Sequence, residues 1–252
     1  FELDTFNSQF QLKSPSRIDT LKIVSDVAQE KISRLIRTTH KRFSSTLQPD
    51  PAFTFKAPNR EHSRNIRLSG YFQSWRYFAD SSELIREQVT SIHQPSNWFT
   101  ETLREITESG QNVAVHVRRG DYQSNPYMGV IPESYYEAAL NIMATKNLNM
   151  RIFLFSDDQS IIANPEFLPR WRSRISIVHP PSESRAVESM VLMSRCANVV
   201  MANSSFSWWG AWLGHREERM VIYPRPWLTG ATVDDRNLAL PSWVSLGYSV
   251  QM

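Results

Sequence analysis

The sequence contains a single cysteine, Cys196, among 252 residues. One cysteine excludes an internal disulfide, and its place in an apolar helical stretch predicts a buried small side chain rather than a nucleophile. The sequence also lacks an apolar run of the ~20 residues that span a bilayer, and no signal peptide is recognisable at its start. We keep open a cytoplasmic location and peripheral membrane association. Because the first residue is Phe1 rather than Met, we also keep open an N-terminal anchor lost from this sequence.

Charge of one sign and glycine are also scarce. The 28 Lys and Arg residues nearly balance 25 Asp and Glu residues, giving a net charge of +3 without long charged runs. This mild excess does not indicate a nucleic-acid partner. None of the 8 glycines forms a Gly-x-Gly-x-x-Gly fingerprint, which argues against a dinucleotide-dependent dehydrogenase.

From residue 112 onward, short β-branched runs alternate with helical stretches. The predicted strands are 113–117, 152–155, 175–178, 198–202 and 221–223, and the predicted helices are 134–144, 186–195 and 205–213. Such alternation is typical of a parallel sheet covered by helices, in which ligands bind at the carboxyl ends of the strands. The polar motifs of this sequence follow directly after the predicted strands.

The first 110 residues have a less regular pattern. We predict helices at 18–38, 81–90 and 97–109, a proline-rich linker at 48–58 and a short strand at 70–75. These features favour a division into two domains, 1–110 and 111–252.

The segment from His116 to Tyr122 places an imidazole and the guanidinium groups of Arg118 and Arg119 where a buried strand reaches the surface. Arginine's rigid fork of donors suits a diphosphate. Surface salt bridging is the alternative. The segment also includes an Arg-Gly-Asp tripeptide ending at Asp121, but this short adhesion motif often occurs by chance.

The next predicted strand ends in Ser156, Asp157 and Asp158. A carboxylate there could accept two hydrogen bonds, from N1–H and the exocyclic amine of guanine, a donor pair that adenine lacks. Alternatively, Ser156 or Asp158 caps the following helix. The pattern is not an Asp-x-Asp metal motif, and we expect no metal site.

The most distinctive stretch runs from Asn203 to Leu213 and joins a strand end to a helix that begins with Ser204, Ser205 and Phe206. Backbone N–H groups at a helix N-terminus form an anion site, aided by the helix dipole. The stretch also satisfies the N-glycosylation pattern, although a strand-to-helix turn is a poor acceptor. For Trp209 and Trp212 we favour core packing over a ligand contact.

These three motifs, in this order, resemble those of the α-1,2-fucosyltransferases, and the chain is identified as similar to glycosyltransferase family 11. Supporting matches lie at 70–74, 135–136, 192–194 and 224–227, so that the resemblance covers nearly the whole chain. It implies an α/β fold of the GT-B type, with a Rossmann-like donor domain at 111–252 and an incomplete acceptor-side domain at 1–110.

The resemblance also implies a reaction. L-fucose would be transferred with inversion from GDP-β-L-fucose to the 2-hydroxyl of a terminal galactose, without a metal or other cofactor. Arg118 would contact the β-phosphate and stabilise the departing GDP. The other donor-binding residues would be His116, Arg119, Asp157, Asn203, Ser204, Ser205 and Phe206. Asp121 is the nearest candidate for a general base, and orientation of Arg118 or Arg119 is its alternative role.

One departure from the family pattern concerns the N-terminus. Members of the family usually begin with a strand and a Gly-Gly-x-Gly-Asn-Gln turn, and this sequence has neither. We therefore expect an N-terminally truncated member. Two alternatives stay open: a non-catalytic GDP-sugar or carbohydrate-binding module, and a fucosyltransferase that makes another linkage or modifies a protein.

Overall fold

The computed structural model describes residues 53–55, 57, 72–125, 127–146, 149–164, 166–181, 186–229 and 235–249, and the backbone of two strands before residue 70. The chain divides into two compact units: Phe1–Asp50 with Lys56–Tyr71, and Pro51–Phe55 with Phe72–Met252. In the first unit, strands β1 (Ser45–Leu47) and β2 (Ile66–Leu68) pair in parallel. The predicted helix at 18–38 lies outside the described residues.

The second unit is built around a parallel sheet of six strands. These are β3 (Asn112–Val117), β4 (Arg151–Ser156), β5 (Ile175–Val178), β6 (Asn198–Val200), β7 (Val221–Arg225) and β8 (Val244–Gly247). Their order across the sheet is β5-β4-β3-β6-β7-β8. Counted from β3, this is the 3-2-1-4-5-6 order of the Rossmann fold. The predicted α/β class with a Rossmann-like parallel sheet is therefore confirmed.

Six α-helices lie within the described residues. They are α1 (Ser82–Thr90), α2 (Asn97–Glu108), α3 (Glu133–Ala144), α4 (Gln159–Ala163), α5 (Ala186–Arg195) and α6 (Ser205–Leu213). All except the short α4 were predicted within one or two residues. Helices α1 and α2 share the compact unit of the sheet, and the domain boundary after residue 110 stays a prediction.

The strand predicted at 70–75 is wrong over its described part. Residues 72–74 belong to no strand, and Trp75–Tyr77 form a 3-10 helix. The Ser74 hydroxyl accepts a hydrogen bond from the backbone N–H of Arg76 at 3.4 Å and caps this turn. The aromatic residues favoured an extended strand, but the Ser74 cap stabilises a helical turn that begins at Trp75.

The hydrophobic core is centred on strands β3 and β4, because both faces of these two strands are covered. Every residue of β3 is buried, as are the four middle residues of β4. Central strands of a parallel sheet read as continuous apolar runs for this reason. The polar residues that follow these two apolar runs consequently lie close together at the carboxyl edge of the sheet.

Cys196 is buried and unpaired, as predicted. Burial raises the pKa of its thiol to about 12, which keeps the sulfur protonated at neutral pH.

Arg219 is buried near Cys196 and links helices α5 and α6 through hydrogen bonds. Its guanidinium donates hydrogen bonds to the carbonyl of Met193 at 2.9 Å, in the last turn of α5, and to that of Ala211 at 3.1 Å, in the last turn of α6. Carbonyls at helix C-termini lack intrahelical partners, and a cation there opposes the negative end of both dipoles. Arg219 thus supports the helix that carries the Trp-rich motif.

We expect Arg219→Met to lower the free energy of unfolding by about 2 kcal/mol, because two hydrogen bonds from a buried guanidinium are lost, although the carbonyl of Met193 keeps the N–H of Cys196 as a donor. Urea denaturation of the purified protein measures this change. Arg195→Met is the matched control, since Arg195 is exposed at the end of α5. Equal losses in the two variants would contradict the role of Arg219.

Candidate functional site

The sheet has a topological switch point between β3 and β6. From β3 the chain proceeds to β4 on one side, and from β6 it proceeds to β7 on the other. The loops that follow the two strands therefore diverge and leave a crevice, which is where doubly wound sheets bind ligands. The three predicted motifs follow β3, β4 and β6, which are neighbours in the sheet.

Arg118 lies between two carboxylates at this edge. Its Nη1 is 2.9 Å from Oδ2 of Asp157, and its Nη2 is 2.7 Å from Oδ1 of Asp121. The side chains of Arg118 and Asp157 are 28% and 24% exposed, whereas that of Asp121 is 70% exposed. The guanidinium is consequently held by one sheltered carboxylate and one that solvent readily screens.

Asp157 also receives the backbone N–H of Arg119, which donates to its Oδ1 at 3.0 Å. Both carboxylate oxygens therefore have protein donors. A Cβ added to Gly120 would collide with Oδ2 of Asp157, so a larger residue there would displace this carboxylate from its donors. The guanine contact of Asp157 stays a prediction.

His116 lies at the end of β3 and is 4% exposed. Its ring centroid is 5.3 Å from that of Phe206, which places the first turn of α6 beside β3. Its Nδ1 has no hydrogen-bond partner among the described residues. Burial, and secondarily the charge of Arg118, lowers the pKa of His116 to about 3, so the imidazole is neutral near pH 7.

This lowered pKa predicts a loss of stability in acid. The folded pKa is about 3 and the unfolded value about 6.5, so the unfolded chain binds the proton first. The stabilising contribution is complete above about pH 6.5 and is lost as the pH falls towards 3; the stability lost by about pH 5 amounts to about 2 kcal/mol. Urea unfolding at about pH 7.5 and about pH 5 measures it.

In His116→Gln this part of the acid sensitivity should disappear. His179→Gln is the matched control, because His179 is exposed. If the two variants lose the same stability between the two pH values as the wild type does, His116 is not the group responsible.

Ser204 is the N-cap of α6, and its hydroxyl accepts a hydrogen bond from the N–H of Phe206 at 3.3 Å. Ser205 is exposed, and Phe206 is half-buried against His116. A helix start with small polar residues at the switch point is the arrangement predicted for an anion site.

Asn203 has a structural function that sequence reasoning missed. Its Nδ2 donates to the carbonyls of Met128 at 2.6 Å, Trp227 at 3.2 Å and Gly129 at 3.3 Å, and thereby joins three loops. A flipped amide would point oxygen at three carbonyl oxygens, so these contacts fix its orientation. The buried Oδ1 is left without a partner in the described part of the chain.

Several buried polar atoms without partners lie near the switch point. Within the described residues they include His116 Nδ1, Arg118 Nε, Arg119 Nε, Tyr136 Oη and Asn203 Oδ1. Buried polar groups are normally hydrogen-bonded, and such a concentration fits a polar ligand that supplies the missing partners. In the same described residues, no group of three or more His, Cys, Asp or Glu side chains is arranged to hold a metal ion.

Contacts of Asp158, Trp209 and Trp212 bear on two of the alternatives from the sequence. Asp158 caps α4, since its Oδ1 accepts hydrogen bonds from the backbone N–H and hydroxyl of Ser160 at 2.8 and 2.6 Å. These bonds, led by that of the hydroxyl, lower the pKa of Asp158. Trp212 is buried in the core as predicted, whereas Trp209 is half-buried and stacks on Phe78 at 5.4 Å.

The chain belongs to glycosyl transferase family 11, whose model matches residues 19–246. It is 35% identical to the Escherichia coli O-antigen biosynthesis glycosyltransferase WbnK over 56% of this chain and 46% of WbnK. It is 30% identical to an E. coli alpha-1,2-colitosyltransferase over 76% of this chain and 66% of that protein. A galactoside alpha-(1,2)-fucosyltransferase 2 of Bos taurus is 26% identical over 60% of this chain and 46% of its own length.

The chain thus spans between about half and two thirds of the curated relatives it matches. Among solved structures, it is similar to NodZ alpha-1,6-fucosyltransferase soaked with GDP-fucose, with 18% identity, a TM-score of 0.38, and coverage of 73% of this chain and 59% of that one. Over the described residues, we find no helix both long and apolar enough to cross a membrane.

Proposed function

We propose that this chain carries the donor-binding part of an inverting α-1,2-fucosyltransferase, which transfers L-fucose from GDP-β-L-fucose to the 2-hydroxyl of a terminal galactose. The observation that carries the proposal is the position of Arg118. Its guanidinium follows β3 directly, pairs with Asp157, and contacts the ring of Tyr122, whose hydroxyl is hydrogen-bonded to Asn203 just before α6. Membership of family 11 and the relatives named for α-1,2 transfer support the reaction class.

In the proposed mechanism, the acceptor hydroxyl attacks the anomeric carbon from the face opposite GDP. Positive charge develops on the sugar while negative charge grows on the departing β-phosphate. Arg118 and the amides at Ser204–Phe206 would stabilise that phosphate charge from positions fixed before the reaction. The proposal includes independence of a metal ion, because it assigns the stabilisation of the β-phosphate charge to Arg118 and these amides.

Asp121 stands in the place that a phosphate oxygen would take on Arg118. Since it is 70% exposed, it can rotate into solvent at small cost when the donor binds, whereas Asp157 keeps its contact. We therefore propose that Asp121 mainly orients Arg118 before donor binding, and the general-base role stays the alternative.

For Asp121→Asn we expect a decrease in kcat of less than about tenfold, since an exposed ion pair contributes little. The donor KM should change more than the acceptor KM. Steady-state kinetics with both substrates varied measures the two effects. A loss of about a hundredfold in kcat with both KM values unchanged would instead establish Asp121 as the general base.

A second donor is favoured by one relative. Because the E. coli alpha-1,2-colitosyltransferase aligns over 76% of this chain, we propose nucleotide-linked colitose, the 3-deoxy analogue of L-fucose, as the alternative donor. Competition between the two donors in one reaction, followed by mass spectrometry of the product, distinguishes them.

The proposed reaction is tested by GDP release from GDP-fucose, with and without lactose and in the presence of EDTA. Release that requires lactose and is insensitive to EDTA is the expected result, and the product should be an α-1,2 linkage. GDP binding without lactose-dependent release would favour the binding-module alternative. A product with another linkage would refute only the proposed α-1,2 linkage and would leave fucosyl transfer itself supported.

A further inference from the structure

We propose that Tyr122 is a positioning residue that fixes the distance between Arg118 and the start of α6 and thereby sets the width of the phosphate site. Its ring and its hydroxyl make different contacts, one on each side of the crevice. The inference rests on the proposed function, because it assumes that this crevice holds a nucleoside diphosphate.

The ring of Tyr122 restrains Arg118. The guanidinium carbon lies 5.3 Å from the ring centroid, within the range of a cation–π contact. The two carboxylates described above hold the guanidinium nitrogens, so the ring adds a restraint that does not compete for those donors. When a phosphate displaces Asp121, Tyr122 and Asp157 are the contacts that keep Arg118 in place.

The hydroxyl of Tyr122 restrains the opposite side of the crevice. It donates a hydrogen bond to the carbonyl of Asn203 at 3.2 Å, and it interacts with the side chain of Ser204, the N-cap of α6. Asn203 is itself fixed by three carbonyls through its amide. The hydroxyl is therefore attached to a rigid point directly before the N-cap of α6.

The surroundings of Tyr122 keep this link intact at neutral pH. The side chain is half-buried, and burial raises the pKa of the phenol, with the charge of Arg118 acting in the opposite direction. Asp121 and Asp157 also lie near enough to disfavour the phenolate. The hydroxyl consequently stays protonated and available as a donor.

The two contacts can be separated by substitution. Tyr122→Phe keeps the ring on Arg118 and removes only the bond to Asn203, whereas Tyr122→Leu removes both. Tyr127→Phe and Tyr127→Leu are the matched controls, because Tyr127 follows in the same connection between β3 and α3 and its side chain is 64% exposed.

The experiment measures the Kd of GDP by titration calorimetry, and the kcat and KM for GDP-fucose, normalised to the number of GDP-binding sites. We expect Tyr122→Phe to weaken GDP binding by ~5-fold with kcat within ~3-fold of wild type, as for loss of one neutral hydrogen bond. Tyr122→Leu should in addition lower kcat by ~30-fold or more, because Arg118 loses a fixed position. The Tyr127 variants should match the wild type.

Normalisation per site separates positioning from folding, since a purely structural defect lowers the number of sites without moving Kd or kcat. Wild-type values in both Tyr122 variants, or equal kcat losses in Phe and Leu, would overturn the inference while leaving the proposed function intact. If the wild-type chain binds no GDP, both fail together. If the wild-type chain binds GDP but does not transfer fucose, the Kd values of the Tyr122 variants alone test the positioning role of Tyr122.

Discussion

Replacing Arg118 with alanine is expected to lower kcat for fucosyl transfer by about two to three orders of magnitude, the typical effect of removing one preorganised donor from a developing negative charge. The guanidinium follows β3, is held by a sheltered carboxylate, and contacts Tyr122, which is hydrogen-bonded to Asn203 just before α6. Stopped GDP-release assays at saturating donor and lactose measure kcat.

Arg118→Lys should restore little of this activity. A single ammonium cannot contact Asp157 and a phosphate with the fixed fork of a guanidinium. The matched control is Arg151→Ala, since Arg151 is exposed at the amino end of β4, the opposite edge of the sheet. Near-wild-type turnover of Arg118→Ala would remove Arg118 from the mechanism.

The second large effect is expected for Asp157→Asn, which should lower kcat/KM by about tenfold to a hundredfold. The change keeps the shape of the side chain but replaces a charge-assisted contact to Arg118, of a kind that contributes about 1.5–3 kcal/mol. One Asp157 oxygen that now accepts the N–H of Arg119 or the guanidinium of Arg118 becomes an amide nitrogen. Arg118 then loses its sheltered anchor.

Asp158→Asn is a close control for this experiment, because it changes the adjacent carboxylate and asparagine is an equally good N-cap. The ratio of GDP to ADP affinity gives a second readout. A ratio that collapses in Asp157→Asn supports the predicted guanine contact, whereas an unchanged ratio assigns Asp157 to Arg118 alone. Equal kinetic losses in the two variants would contradict the anchoring function.

The sequence predicts much of the sheet because its central strands are continuous apolar runs. Strand β3 and strand β4 stand out for this reason. Strand β8 was missed, since it is short and mostly exposed at the sheet edge. The strand predicted at 70–75 was wrong, because aromatic content alone cannot reveal the Ser74 cap.

The candidate site could be predicted only as a set of motifs. Parallel strands place their carboxyl ends together, which explains why residues that follow β3, β4 and β6 meet. The individual contacts depend on the order of strands, which local sequence does not encode. The ion pair of Arg118 with Asp157 and the bond of Tyr122 to Asn203 were therefore beyond sequence reasoning.

A crystal structure of the chain with GDP, grown in the presence of EDTA, tests the central claim most directly. The account predicts the diphosphate in the crevice between β3 and β6, with a β-phosphate oxygen on Arg118 in the place of Asp121 and the amides of Ser205 and Phe206 directed at the phosphate. Arg118 should keep its contact to Asp157. GDP bound elsewhere, or an Arg118 still paired with both carboxylates beside the bound nucleotide, would contradict the account.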